Sequence, residues 1–289
     1  MSLFRFFTTL FVLSLRSLIT EALNDSPTYL FHYCSNKTTY PSGSNYTSVQ
    51  SNLYNLFLAL SSNGTATAAN GFYNTTFGEH PNRVYGDYLC RGDVSPSTCQ
   101  NCVMFATKDV EGRCLIENEV VIWYDECRLR YSGEPSIFNE GDSVSMCMWN
   151  THNAMDPIQF NDAVATVMND ATTRAASVAL RFATKETDIS AFQTLYSLAQ
   201  CTLYLSSTDC NKCLRRAVSG LPSCCSGKVG GRVMSLSCHI RYEMYPFYKL
   251  SAVTALAPAS PPPIVTPPAG SVINPKGKVE RSLLINFCL

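Results

Sequence analysis

Five cysteines recur at one fixed offset. Cys90, Cys99, Cys102, Cys114 and Cys127 each reappear 111 residues later as Cys201, Cys210, Cys213, Cys225 and Cys238, so that both sets spell C-x8-C-x2-C-x11-C-x12-C. Four spacings kept twice mean that one small cysteine-framed unit was duplicated. Tyr85, Arg130 and Tyr131 map onto Tyr196, Arg241 and Tyr242 by the same offset. Function must therefore be sought in one such unit and in what two joined copies add.

Fourteen cysteines in 289 residues suit an oxidising compartment. The N-terminus agrees. A short stretch bearing Arg5 leads into the apolar run Phe6–Leu15, and small residues Thr20 and Ala22 precede a cut after Ala22. Residues 1–22 read as a secretory signal peptide, and Arg16 makes the apolar run too short for a membrane anchor. The alternative is a buried N-terminal strand or helix. Five N-x-[ST] sequons, at Asn24, Asn36, Asn45, Asn63 and Asn74, mark glycosylation sites in or beside the first unit. The expected location is secreted and extracellular.

Repeat one is expected over 25–134 and repeat two over 144–250. The connection Gly133–Asp142 is rich in turn residues. Residues 251–289 hold a proline-rich, extended tail with Pro258, Pro261, Pro262, Pro263, Pro267 and Pro268, and nothing long enough for a membrane span. The net charge is zero, but residues 24–134 carry 7 basic and 11 acidic groups, and residues 144–250 carry 10 basic and 7 acidic. Opposite signs suit two repeats that face each other, although drift explains them equally. No Lys/Arg cluster forms a footprint for nucleic acid.

Apolar residues at helical spacing mark one helix in each repeat: Val49, Leu53, Leu56, Phe57, Leu60, and Phe160, Ala163, Val164, Val167, Met168, Ala171. A second helix carries each C-x2-C, with Ser97 and Ser207 as candidate N-caps. Short β-type runs follow at 120–124, 129–131, 231–236 and 238–242, and the surroundings of Cys34 and Cys147 read as first strands. The fold class is α+β, an antiparallel sheet covered by two helices in each of two tandem disulfide-rich domains.

Three uses of C-x2-C compete. A zinc site would need both repeats to supply four ligands. A thioredoxin-type dithiol at Cys99/Cys102 or Cys210/Cys213 would make a thiol-disulfide oxidoreductase. Structural disulfides account for the repetition and the compartment together. The residues alone leave the pairing open. No catalytic constellation emerges. The four histidines are scattered, and there is no Gly-rich phosphate loop and no kinase motif. No cofactor or metal is expected, and the chain is not expected to be an enzyme.

The duplicated C-x8-C-x2-C resembles the ginkbilobin-homologous (salt-stress-response/antifungal) domain of plants. Supporting strings are Tyr85-Gly86-Asp87-Tyr88-Leu89-Cys90-Arg91-Gly92-Asp93, Gln200-Cys201-Thr202, Gly230-Gly231-Arg232-Val233 and Ser237-Cys238-His239-Ile240-Arg241-Tyr242-Glu243. That family includes antifungal seed proteins, cysteine-rich repeat secretory proteins, plasmodesmata-located proteins and ectodomains of cysteine-rich receptor-like kinases. The resemblance implies a five-stranded antiparallel sheet with two helices per repeat. It also implies the bridges Cys34–Cys114, Cys90–Cys99 and Cys102–Cys127, then Cys147–Cys225, Cys201–Cys210 and Cys213–Cys238. Cys224 and Cys288 are left over, and Cys224 beside Cys225 makes that one assignment ambiguous by a residue. Arg91-Gly92-Asp93 spells an integrin-type tripeptide, which is read as coincidence.

The resemblance further implies a mannose site built from an Asn after the first cysteine, an Arg seven past the fifth and a Glu after the sixth. Repeat two offers Arg232 and Glu243, with Met148 at the Asn position and Asn150 two further on; repeat one has Ser35, Val121 and Ser132. The alternative is that Arg232 and Glu243 simply form an ion pair across neighbouring strands. The functional expectation is a secreted recognition module for defence or stress signalling, binding a mannose-type carbohydrate, another ectodomain or a second copy of itself. The rival is a directly antifungal mannose-binding effector.

Expressed with its own N-terminus, the chain should be exported without residues 1–22, carry N-glycans on repeat one and show at most two free thiols. Mass spectrometry after non-reducing alkylation reads all three. A full-length, unglycosylated product with four or more reactive thiols would contradict the compartment and the disulfide frame together.

Overall fold

The structure, a computed structural model, describes residues 26–35, 44–62, 70–114, 117–135 and 145–249. The signal peptide, most of the connecting segment, the proline-rich tail with Cys288, and Asn24, Asn36 and Asn63 lie outside the described residues. Repeat one runs β1 (Tyr29–Cys34), α1 (Ser44–Ser62), β2 (Phe72–Phe77), β3 (Val84–Cys90), α2 (Pro96–Arg113), β4 (Glu119–Tyr124) and β5 (Cys127–Ser132). Repeat two runs β6 (Ser145–Trp149), α3 (Pro157–Ser177), β7 (Phe182–Ser190), β8 (Gln193–Cys201), α4 (Ser207–Cys225), β9 (Gly230–Ser235) and β10 (Cys238–Glu243). The sheets are antiparallel, in the orders β1-β4-β5-β3-β2 and β6-β9-β10-β8-β7. The α+β expectation holds in both repeats.

Each helix pair covers one face of its own sheet. In repeat one, Leu56 and Leu60 of α1 and Val103, Ala106 and Val110 of α2 bury against Ile122 and Leu129. In repeat two, Met168 and Ala171 of α3 and Leu214 of α4 bury against Leu195 and Ile240. Complete burial of one such Leu or Ile stabilises by about 1.5–3 kcal/mol. The helix starts differ from the sequence expectation by one or two residues. Ser95 and Ser206, not Ser97 and Ser207, are the N-caps, accepting from the Thr98 and Asp209 amides at 3.1 and 3.0 Å. A cap must have extended backbone, and Ser95 does (φ −69°, ψ 156°). Ser207 already lies within the helix, and its hydroxyl donates to the Ala176 carbonyl instead.

Side chains on a strand alternate between faces, so each sheet has a second face, and these two faces pack on each other. Val121 and Trp123 of β4 meet Met234 of β9 and Leu236, flanked by Phe31, Tyr33, Met146 and Met148. Phe31 stacks on Trp123. The sheet edges meet reciprocally. Phe72 and Phe182 hold equivalent places in β2 and β7, paired with Leu89 and Gln200. Phe72 meets Tyr204, and Phe182 covers Gly92 so closely that any side chain there would collide with its ring. The Gln200 amide donates to the Cys90 carbonyl at 3.0 Å. Equivalent surfaces thus face each other, as in an isologous dimer joined into one chain.

Six disulfides lock the two cores: Cys34–Cys114, Cys90–Cys99, Cys102–Cys127, Cys147–Cys224, Cys201–Cys210 and Cys213–Cys238. The expected Cys147–Cys225 pair is corrected. Cys147 is bonded to Cys224, and Cys225 is a buried thiol. The reason lies in helix length. Helix α2 stops at Arg113, leaving Cys114 as an extended cap that reaches Cys34, whereas α4 stays helical through Cys225. The extra helical residue turns Cys225 into the core beneath Gly231 and Tyr242, and brings Cys224 round to β6.

Trp123→Ala should lower the stability of the whole chain by about 3–5 kcal/mol, because Trp123 is 4% exposed and anchors the apolar contact between repeats. Denaturant titration of the intact protein measures this. A loss below about 1 kcal/mol would place Trp123 outside any continuous core.

Candidate functional site

Arg232 lies in β9 and Glu243 ends β10. On the intervening register Arg241 of β10 stands directly opposite Arg232. Like charges so placed repel. The repulsion is relieved from the other repeat, by Asp125 in the turn between β4 and β5. Arg232 Nη1 donates to Asp125 Oδ1 at 2.7 Å, and Arg241 Nη1 donates to Oδ1 and Oδ2 at 2.9 and 3.2 Å. Arg91 Nη1 completes the set at 2.9 Å to Oδ2. One carboxylate thus holds three guanidinium groups, two of them from repeat two. Burial opposes the charge on Asp125, but Arg241, Arg232 and Arg91 outweigh it and hold the carboxyl below its usual range.

The partners of these arginines are fixed in turn. Arg91 makes a two-pronged pair with Asp93, Nε to Oδ1 at 2.6 Å and Nη2 to Oδ2 at 3.0 Å. Asp93 also accepts from the Lys249 amide. The Arg91-Gly92-Asp93 tripeptide is therefore closed on itself and covered by repeat two. Arg241 bonds Glu243 Oε1 at 3.1 Å and the Tyr245 hydroxyl at 3.0 Å, and stacks on Phe247 at 4.2 Å. Glu243 is 6% exposed, and burial pushes its carboxyl up against the pull of Arg241. Arg232 and Glu243 are thus linked through Arg241, and Arg232 pairs across the domain boundary. Asn150 follows β6, accepting from the His152 amide through Oδ1 at 3.0 Å. Of the three residues matched to the mannose site, two are engaged in the interior and the third lies in a turn at the end of β6.

Sequence reasoning missed Asp125, Arg91 and Arg241 as site residues. Arg241 had shown only as the repeat partner of Arg130, Arg91 only within the Arg91-Gly92-Asp93 string, and Asp125 only in the acidic balance of repeat one. It also missed Arg128, whose guanidinium pairs with Asp87 and reaches the Leu236 carbonyl of repeat two. The residue at the Arg128 position in repeat two is His239. It lines a cavity of about 40 Å³ between the repeats, together with Trp123, Arg128 and Met234. His239 is half-buried there. Burial first, then Arg91 and Arg232, push its pKa down to about 3.

Neither C-x2-C is a dithiol. Cys99 is bonded to Cys90, Cys102 to Cys127, Cys210 to Cys201 and Cys213 to Cys238. All four sulfurs of the oxidoreductase reading are in separate bridges. A larger open cavity, of about 500 Å³, lies in repeat two between the start of α3 and the β7–β8 hairpin. Phe160, Ile189 and Met244 line it together with the carboxylate residues Asp156 and Asp188. Met155, which lines it, and Phe192, in the adjoining hairpin turn, are almost fully exposed, and Ile158 is largely so. Asn74, in β2 of repeat one, is exposed, as a glycan acceptor must be; Asn45 lies in α1.

Two disulfide-locked α+β domains joined sheet to sheet define a tandem cysteine-rich module. A model of the salt stress response/antifungal family matches residues 33–134 and 146–245, and the chain belongs to that family. It is 41% identical over 267 residues to cysteine-rich receptor-like protein kinase 25 of Arabidopsis thaliana, covering 90% of this chain and 39% of the relative. It is 38% identical over 219 residues to the antimicrobial ginkbilobin-2-like protein of Castanea crenata, covering 75% of this chain and 88% of the relative. The chain spans about two-fifths of the length of the first receptor-like kinases it matches. Its fold is similar to the tandem DUF26 ectodomain of the Arabidopsis thaliana receptor-like protein PDLP8, with a TM-score of 0.63 at 20% identity over 76% of this chain and 100% of that one. The corresponding ectodomain of PDLP5 gives 0.58 at 25% identity, over 75% and 100%. Among the described residues, no helix is long and apolar enough to cross a membrane.

The ion cluster sets a pH response. The folded pKa of His239, about 3, lies below the unfolded value of about 6.5. The unfolded chain therefore takes up a proton that the folded chain refuses, and stability falls as pH drops from about 6.5 towards 3. Asp125 adds its own loss only below the unfolded carboxyl value of about 3.9, as pH falls through its depressed folded pKa. Urea titrations of the parent and of His239→Gln should diverge by this decline, because the carboxyls of Glu243 and Asp87, raised by burial, act in the opposite sense but in both proteins. Parallel profiles would contradict the burial of His239. Asp125→Asn at neutral pH should cost about 3–5 kcal/mol.

Proposed function

We propose that the protein is a secreted recognition module of plant defence or stress signalling, and that its ligand is another extracellular protein domain. The observation that carries this reading is an exposed apolar set at the repeat-two cavity: Met155, which lines it, and Ile158 and Phe192, next in sequence to the lining residues Gln159 and Gln193. Aromatic and Met side chains left in water around a concave surface are the usual anchors of a protein contact. The sequon-bearing surface is confined to repeat one, which leaves this face of repeat two unshielded. Asp156 and Asp188 in the cavity favour a partner with basic groups opposite them. The relatives supply the setting, plant receptor-like kinases and an antimicrobial protein.

A second reading, direct antifungal action through mannose, draws on the Castanea crenata relative and on the sequence match of Arg232 and Glu243, with Asn150 two residues past the unmatched Met148. The ion cluster weighs against it. Opening Arg232 and Glu243 to a sugar would break pairs with Asp125 and Arg241, and losing a charged hydrogen-bond partner costs about 1.5–3 kcal/mol each.

The test is biolayer interferometry of the secreted full chain against a panel of plant receptor ectodomains, beside calorimetry with mannose. The expected result is binding to an ectodomain that Phe192→Asp weakens at least about tenfold, or 1.4 kcal/mol, with no change in melting and no mannose heat. Mannose binding abolished by Arg232→Ala or Glu243→Ala, with no ectodomain bound, would establish the second reading instead.

A further inference from the structure

Three sulfurs meet where α4 ends on β6. Cys147 and Cys224 are bonded, and the thiol of Cys225 lies 3.3 Å from the Cys147 sulfur and 2.7 Å from that of Cys224. Two frames on this chain name different partners for Cys147. The repeat offset makes Cys225 the counterpart of Cys114, which bonds Cys34, the first cysteine of repeat one. The structure gives the bond to Cys224. Both cysteines are thus placed to hold Cys147, and only one does at a time.

The surroundings permit the exchange. The end of α4 is weakened one turn back, because Pro222 has no amide to give the Val218 carbonyl and Gly220 adds backbone freedom. Both cysteines face β6, Cys224 through its bond to Cys147 and Cys225 through a 3.8 Å approach to the Met148 carbonyl, and the last turn must rotate to bring the Cys225 sulfur in line behind the Cys147–Cys224 bond before it can attack. Gly231 leaves the space that the Cys225 sulfur fills, where repeat one has Val120. A cavity of about 90 Å³ lies alongside, lined by Leu221, Pro222, Cys225 and Tyr242. The two states differ in what they show to solvent. Cys225 is buried, while Cys224 is partly exposed.

We propose that Cys147, Cys224 and Cys225 form a disulfide-exchange centre in which Cys147 alternates between the two neighbours, carrying the free thiol of repeat two from the core to the surface at Cys224, where low-molecular-weight disulfides capture it. The Cys225 thiolate attacks the Cys147 sulfur. The Cys147–Cys225 bond forms, the Cys147–Cys224 bond breaks, and Cys224 leaves as the thiolate and takes up the proton that Cys225 gave up. No oxidant is consumed. Attack on Cys224 itself is unproductive, since adjacent Cα atoms about 3.8 Å apart fall short of the usual disulfide separation of about 4.4–6.8 Å. In the capture step the Cys224 thiolate attacks a disulfide RS–SR, giving Cys224–S–SR and one RS⁻. Burial pushes the Cys225 thiol up to about 11, so in the resting state it is stored protonated. This inference does not depend on which ligand the module binds.

The test uses the full chain carrying Cys288→Ser, so that the only unpaired thiol is that of the centre. The chain is acid-quenched, alkylated with N-ethylmaleimide and mapped without reduction, and fragmentation between Cys224 and Cys225 locates the label. The expected map holds both Cys147–Cys224 and Cys147–Cys225. Incubation with oxidised glutathione at about pH 8 should place one glutathione on Cys224, and Cys225→Ser should abolish it. Cys224→Ser should bond Cys147 to Cys225 and melt as one folded protein. A parent map with Cys147–Cys224 alone before and after incubation, glutathione on Cys225, or two free thiols in Cys224→Ser would each overturn the proposal.

Discussion

The carboxylate of Asp125 is the point on which the two repeats depend. It projects from repeat one and holds Arg91 of its own repeat with Arg232 and Arg241 of the other. Without it, Arg232 and Arg241 would stand opposed on adjacent strands with only Glu243, bonded to Arg241, to offset them. With it, the outer faces of the two sheets close on each other around Trp123 and Met234. Coulomb attraction between such partly buried groups is worth several times its value in water, and the same burial makes an unpaired member costly. The ion cluster therefore fixes the orientation of the repeats as much as it stabilises them.

That closure decides which surfaces are left for a partner. One face of each sheet, apolar around Trp123 and Met234 and charged around Asp125, is covered by the other repeat, and the opposite face is covered by its own helices. Among the described residues, the open apolar surface includes Tyr54 and Leu58 on α1 of repeat one and, on repeat two, Met155 at the cavity of about 500 Å³ with Ile158 and Phe192 beside it. Arg232 and Glu243 match a sugar-binding pattern by position in the sequence, but a position on a sheet face says nothing about what packs on that face. Two joined copies have turned those positions into an internal contact.

The sequence made the elements legible because each rests on local chemistry: cysteine spacing, helical periodicity at Val49–Leu60 and Phe160–Ala171, and short β-type runs. It was less informative at boundaries. Ser97 and Ser207 satisfy the same residue preference as Ser95 and Ser206, and only the backbone geometry separates them. One extra helical residue in α4 was invisible for the same reason, and it moved the Cys147 bridge from Cys225 to Cys224. The inter-repeat site was not legible because most of its members break the repeat: Arg91 corresponds to Thr202 and Arg232 to Val121, and Arg241 alone keeps its counterpart, Arg130. Asp125 corresponds to Leu236 and Arg128 to His239. A contact between two copies selects residues that differ between them, and such pairs have no periodicity to read.

The central claim is that the repeats are one cooperative body joined through Asp125, and differential scanning calorimetry of the intact protein tests it most directly. The account predicts a single transition whose calorimetric and van't Hoff enthalpies agree, and two separated transitions once Asp125 is changed to Asn. Two independent transitions in the parent protein, unmoved by Asp125→Asn, would show that the repeats are separate domains in contact, and would contradict the account.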